Sequence, residues 1–158
     1  MCQFFKDINA ITNSRNNILL QSDDIVTGKY DLIGPPRNIS NLRPVKFAVS
    51  SEETELQRKL RTLRQETQKF NQEWWTKHNT DFKLGREEFI KDILKTKYPN
   101  EQDKTTLSAD EMSIFYRDFM NKHWRSHLDY NKEWQRRNWT IIWLMFKVKL
   151  QSVFKSKS

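Results

Sequence analysis

Leu56-Gln-Arg-Lys-Leu-Arg-Thr-Leu-Arg-Gln-Glu-Thr-Gln-Lys-Phe-Asn-Gln-Glu-Trp74 is the stretch that decides the fold class. Within it Leu56, Leu60, Leu63, Thr67, Phe70 and Trp74 recur at alternating steps of four and three. That spacing lays one stripe along a helix, and such a stripe needs a second helix to cover it. Arg58, Lys59, Arg61, Arg64 and Lys69 fall on the opposite, solvated side. Ser51 is the expected N-cap, with Glu52, Glu53 and Glu55 favouring the positive helix end. A helix is expected over 51–78.

The partner lies downstream. Ser108-Ala-Asp-Glu111 has the form of a capping box. Neither Pro nor Gly follows it up to Phe154. Met112, Tyr116, Phe119, His123, His127, Tyr130, Trp134, Ile141, Met145 and Val148 repeat near heptad spacing, with one member missing between Trp134 and Ile141. This predicts a long helix over 108–154, with room for a break or bend near Ser126–Asn131, where Asp129 and Asn131 are poor helix formers. A shorter helix is expected over 84–98, striped by Phe89, Ile90, Ile93, Leu94 and Tyr98 and stopped at Pro99.

The composition agrees. The chain has 158 residues, with 13% aromatic and 30% charged residues and only three Gly and four Pro. Few turn residues argue against a many-stranded sandwich or a glycine-rich nucleotide fold. The expected class is all-α: a small antiparallel bundle of about three helices within 51–155. Its long C-terminal helix would overshoot the bundle. An extended, proline-containing strap over 31–50 would precede it, because Gly34-Pro35-Pro36 and Pro44 cannot be helical. Leu42, Val45 and Phe47 are placed to pin that strap. A short strand near Val45–Val49 would lack an obvious partner. Residues 1–30 read either as a disordered terminus or as a weak presequence, with Lys6 and Arg15 set against few acids.

Several chemistries are disfavoured. A lone Cys2 excludes an internal disulfide and a cysteine zinc site, and suits a reducing compartment. The longest apolar run, Trp139–Phe146, is eight residues and too short to span a bilayer. No nucleophile elbow, P-loop or dinucleotide fingerprint is present, so no enzyme is expected. Tryptophans interleaved with Arg and Lys resemble a nucleic-acid stacking platform. The basic residues of the first helix are mixed with acids, however, and nucleic acid is the disfavoured partner.

Two features carry functional expectations. The formal charge is +8, and Trp134–Ser158 holds six cations and no acid. Trp139, Ile142, Trp143, Phe146 and Leu150 form a stripe there, accompanied by Arg136, Arg137, Lys147 and Lys149. This suits an amphipathic helix docking on anionic lipid or on an apolar protein surface; the alternative is that the segment is core packed on the first helix. The second feature is His123 and His127, four apart inside an aromatic stripe. They are candidate haem or metal ligands, with His127 as axial ligand; the alternative is two polar-tipped residues filling the seam. The seam itself is assigned to Leu56, Leu60, Leu63, Phe70, Trp74, Phe119, Tyr130 and Trp134.

Asp31-Leu-Ile-Gly-Pro-Pro36, Ser40-Asn-Leu-Arg-Pro-Val45, Leu56–Arg61 and Leu63–Gln68 resemble the mitochondrial cytochrome c oxidase assembly factor 8 family, once called apoptogenic protein. Phe70-Asn-Gln72 with Trp75, Phe89-Ile90, Leu107–Met112, Phe115-Tyr116 with Phe119, and His127–Trp134 through Arg137-Asn138 extend the similarity over roughly 30–150. The resemblance implies a non-enzymatic, peripheral protein on the matrix side of the mitochondrial inner membrane. It would support assembly or stability of respiratory complex IV, touch oxidase subunits or assembly intermediates, and bear on oxidative damage.

Overall fold

A computed structural model describes residues 30–100 and 105–155. The reading of residues 1–29 lies outside the described residues. Among the described residues there are two short strands, β1 (Leu32–Ile33) and β2 (Val45–Lys46), and two long helices, α1 (Glu55–Lys97) and α2 (Ala109–Lys155). The helices are 43 and 47 residues, each on the order of 65–70 Å long at 1.5 Å per residue. They run antiparallel as a helical hairpin. At the loop end the Lys97 ammonium and the Tyr98 hydroxyl both reach the Glu111 carboxylate. At the open end Thr54 Oγ1 lies 3.5 Å from Gln151 Oε1.

The expected helices 51–78 and 84–98 are one helix. Asn79-Thr-Asp81 has low helix propensity, but tertiary packing overrides it. His78 and Phe82 sit on the continuing seam, with the Phe82 ring 5.1 Å from Phe119 and 5.5 Å from Phe115. Asn79 donates to the Ile39 carbonyl at 2.8 Å. A bundle of about three helices is therefore a two-helix hairpin among the described residues. There is no break near Ser126–Asn131 either: α2 is continuous through Tyr130, which is buried against α1. Nor does α2 overshoot, because α1 accompanies it to its last turns.

The caps follow local chemistry. Thr54, not Ser51, opens α1: its Oγ1 accepts from the Gln57 N–H, and its own N–H donates to Gln57 Oε1 at 2.8 Å. Glu53 turns away to make a paired contact with Arg61 at 2.8 and 2.9 Å. Ser108 and Glu111 form the expected box, with the Ser108 N–H donating to Glu111 at 2.9 Å. Tyr98 N–H closes α1 on the Leu94 carbonyl just before Pro99.

The strap is a hairpin. β1 and β2 pair antiparallel, Leu32 with Lys46 and Ile33 with Val45, so β2 does have a partner, within the strap itself. Beyond the ladder, Gly34 N–H reaches the Pro44 carbonyl at 2.8 Å, and Arg37 N–H reaches Leu42 at 3.0 Å. Asn41 turns the chain at φ 59°, a left-handed conformation that asparagine tolerates. The Gln68 carboxamide of α1 then acts as a further strand partner. Its Oε1 accepts from Val45 N–H at 2.6 Å and its Nε2 donates to the Val45 carbonyl at 2.9 Å. Gln72 reaches buried Ser40, and Asp31 holds both Arg64 and the Ala48 N–H. Phe47 is buried beneath the Arg64 guanidinium.

The core is thin, as a polar chain of this size dictates. Its apolar centre is Met112, Phe115 and Phe119, packed by Phe82, Phe89, Ile90 and Leu107.

Candidate functional site

Two places gather the residues that the sequence marked. The first is the C-terminal half of α2. Ile141 and Val148 are half-buried and Leu144 is buried, so this side packs on α1. Trp139, Ile142, Trp143, Phe146 and Leu150 lie on the other side of the helix and are exposed, Trp139 at 70% and Trp143 at 57%. The packed reading thus holds for one side of this helix, and the other side is an exposed apolar stripe. Trp143 and Phe146 stack at 5.8 Å, and the Lys147 ammonium lies 5.3 Å from the Trp143 ring. At about 100° per residue, Lys147 and Lys149 flank the exposed stripe on either side. Neither makes an ion pair among the described residues.

The arginines differ. Arg136 and Arg137 both pair with Glu133, at 2.7 and 2.6 Å. The Arg136 contact, helped by Arg137, holds the Glu133 carboxyl well below the usual carboxylate range, at about 2. Arg137 then turns inward, with its guanidinium 4.7 Å from the centre of the Phe70 ring. It fills the gap in the apolar series between Trp134 and Ile141. Arg137 therefore belongs to the seam rather than to the exposed face, while Trp134 stays 40% exposed. The exposed face carries fewer free cations than composition suggests.

The second place is the middle of the seam. Leu56, Leu60 and Leu63 are half-buried along α1, and Thr67 is buried, its hydroxyl donating to the Leu63 carbonyl at 2.7 Å. Phe70 stacks on Tyr130 at 5.5 Å and Trp74 stacks on it at 4.2 Å. The Tyr130 hydroxyl accepts from Trp75 Nε1 at 3.0 Å and donates to Asn71 Oδ1 at 3.3 Å. His78, on α1, comes within 5.8 Å of His123 and 6.1 Å of His127, ring to ring. His78 is far from the other two in sequence, and the pairing of the helices brings it close. His78 stacks on Trp74 at 4.7 Å and His123 on Phe119 at 4.0 Å. Burial first, then the neighbouring His123 and His127 rings, push His78 below the usual histidine range, and Asp81 opposes them. Among the described residues no group of three or more His, Cys, Asp and Glu is placed to hold a metal ion. No described helix is long and apolar enough to cross a membrane.

Comparison with known proteins follows the same residues. The human cytochrome c oxidase assembly factor 8 is 44% identical over 129 residues, 79% of this chain and 63% of the human protein. A Drosophila melanogaster family protein described as mitochondrial is 42% identical over 128 residues, 81% of this chain and 69% of its own. A Caenorhabditis elegans family protein, also described as mitochondrial, is 32% identical over 148 residues, covering 94% of this chain and 97% of its own. The chain thus spans somewhat less than two thirds of its human relative. No solved structure matches it. Residues 30–154, which comprise the strap and both helices, match the family description from end to end, and the chain belongs to the cytochrome c oxidase assembly factor 8 family.

Proposed function

We propose that this chain is a non-catalytic assembly or stability factor for mitochondrial cytochrome c oxidase, bound peripherally to the matrix side of the inner membrane. The observation that carries the reading is the exposed stripe Trp139, Ile142, Trp143, Phe146 and Leu150 on α2, opposite the face that packs on α1. An apolar stripe of this width, bordered by Lys147 and Lys149, suits the boundary between headgroups and acyl chains of anionic lipid. The same stripe is available to an apolar surface on an oxidase subunit or assembly intermediate. The human relative is named a cytochrome c oxidase assembly factor, and the fly and worm relatives are described as mitochondrial. The test is fractionation of mitochondria expressing Trp143→Glu. Release of the variant into the soluble fraction, with loss of oxidase content, is the expected result. Retention on the membrane counts against docking through this face.

One observation favours a second reading, haem handling for the same enzyme. The hairpin brings His78 to His123 and His127 between Trp74, Phe119 and Tyr130. Neutral imidazoles walled by rings have the chemistry of an axial-ligand site. The rings already touch across a closed seam, so haem would need the helices to part. A saturable Soret shift on adding haem, lost in His127→Ala, supports this reading; no shift removes it.

A further inference from the structure

Where the strap crosses the two helices it leaves a groove of about 430 Å³. Its polar lining includes Arg43 from the strap, Arg64 and Asn71 from α1 and Asn138 from α2, and its apolar lining is Leu42, Phe47, Ile141 and Met145, with the Arg64 guanidinium 4.1 Å from the Phe47 ring centre. Among the described residues no carboxylate lines it. Its polar groups offer donors. Asn71 has its Oδ1 taken by the Tyr130 hydroxyl, so what it has left to offer is its NH₂ group. Gln68 and Gln72 are engaged by Val45 and Ser40. Arg64 spends one nitrogen on Asp31 and keeps its remaining N–H groups. Neither Arg43 nor the half-buried Asn138 carboxamide has a hydrogen-bond partner among the described residues. Guanidinium and amide N–H donors in one groove, with Asp31 engaging only one nitrogen of Arg64, suit a tetrahedral oxyanion, since arginine recognises phosphate with paired N–H donors.

We propose that this groove binds the phosphate of an anionic amphiphile, with the headgroup at Arg43, Arg64, Asn71 and Asn138 and an apolar chain along Phe47, Ile141 and Met145. The location fits the chemistry. Asn138, Ile141 and Met145 precede or adjoin Trp139, Ile142 and Phe146 in the sequence, so the groove opens beside the exposed stripe. The site does not depend on that stripe for binding, and the two are tested separately.

The experiment uses the isotope-labelled full chain. The side-chain NH₂ signals of Asn71 and Asn138 are followed while adding dihexanoyl phosphatidylglycerol below its micelle concentration, then dihexanoyl phosphatidylcholine, then inorganic phosphate. The expected result is a saturable shift with the anionic lipid, weaker with the other two. Arg43→Gln and Asn138→Asp should each weaken binding roughly tenfold or more, the scale of one charge-assisted hydrogen bond. Arg43 is exposed, so Arg43→Gln leaves the backbone spectrum outside the groove unchanged. Trp143→Glu should leave this affinity unaltered even if it abolishes membrane association. Equal binding of inorganic phosphate overturns the amphiphile and leaves a small-anion site. Equal binding of phosphatidylcholine, a shift that survives Arg43→Gln, or no saturable shift at all overturns the proposal.

Discussion

At its loop end the hairpin packs Phe82 and Phe89 of α1 against Met112, Phe115 and Phe119 of α2; at its open end the same two helices meet through Thr67, Arg137 and Ile141 and keep their large rings outside. The loop end buries aromatic surface, which stabilises in proportion to the area removed from water. The open end spends tryptophan and phenylalanine on an exposed stripe and closes its seam with aliphatic residues such as Leu144, a small hydroxyl residue and a guanidinium. It recovers order from the strap, whose backbone is fixed by glutamine and asparagine side chains. A molecule with so thin a core concentrates its buried rings near the loop and leaves its exposed apolar stripe at the open end.

The largest test of that contrast is Phe115→Ala. Phe115 is buried among Phe82, Phe89 and Phe119, and truncation should cost about 3–5 kcal/mol in denaturant unfolding. Trp143→Glu, at an exposed position, should change the same measurement by no more than about 0.5 kcal/mol. Equal costs at the two sites would break the comparison.

The strap comes next. Gln68→Ala leaves the Val45 N–H and carbonyl without their side-chain partner, a loss of about 1–2 kcal/mol. The loss should be local. The Val45 amide exchanges faster and proteases cut within 31–50, while protection at Phe115 and Phe119 stays unchanged. Faster exchange at both ends would mean that strap and loop end fold as one unit.

The junction between the two ends should respond to pH. Burial and two neighbouring imidazoles lower the proton affinity of His78 in the folded state. The unfolded chain then binds the extra proton, so stability is complete above the ordinary histidine value of about 6.5 and falls as pH drops through it. Thermal unfolding between pH 8 and 5 should show this slope, and His78→Phe should flatten it. A separate loss belongs to the carboxylates. Glu111 is held down to about 2, first by Lys97 and then by Ser108 and Tyr98. Its contribution is intact above the usual carboxylate range and disappears only as pH falls towards 2.

Much of this was legible in the sequence, and the exceptions have physical causes. The seam from Leu56 to Trp74 and the Ser108–Glu111 cap are local patterns, and both are in the structure. Thr54-Glu-Leu-Gln57 also carried a capping-box pattern, but the acids after Ser51 drew the expected start upstream. Asn79-Thr-Asp81 reads as a break because propensity is local, whereas Phe82 acts on residues more than thirty positions away. The strap hairpin has only two residues per strand, too few for periodicity to show. Of the candidate sites, the exposed stripe on α2 was readable as apolar spacing, but which of its neighbours faces solvent was not. Arg137 looks like a surface cation until Phe70 and Glu133 are brought beside it, and His78 joins His123 and His127 only through the pairing of the helices.

Gly85 gives the smallest and sharpest test, because it lies where a second helix had been expected to begin. If the junction were a working hinge, a glycine there would supply freedom that alanine removes. The structure argues otherwise. Gly85 is inside continuous helix with negative φ, and a Cβ built on it would sit 3.5 Å from Phe115 Cε2, an ordinary contact distance. Alanine should therefore fit without displacing the ring. It should stabilise the chain by about 0.5–1 kcal/mol through reduced freedom of the unfolded state, which corresponds to roughly 1–4 °C in Tm for a chain of this size. An unchanged or lower Tm would show that α1 is not uniform here, and that the two ends are joined by a flexible element rather than by one rigid helix.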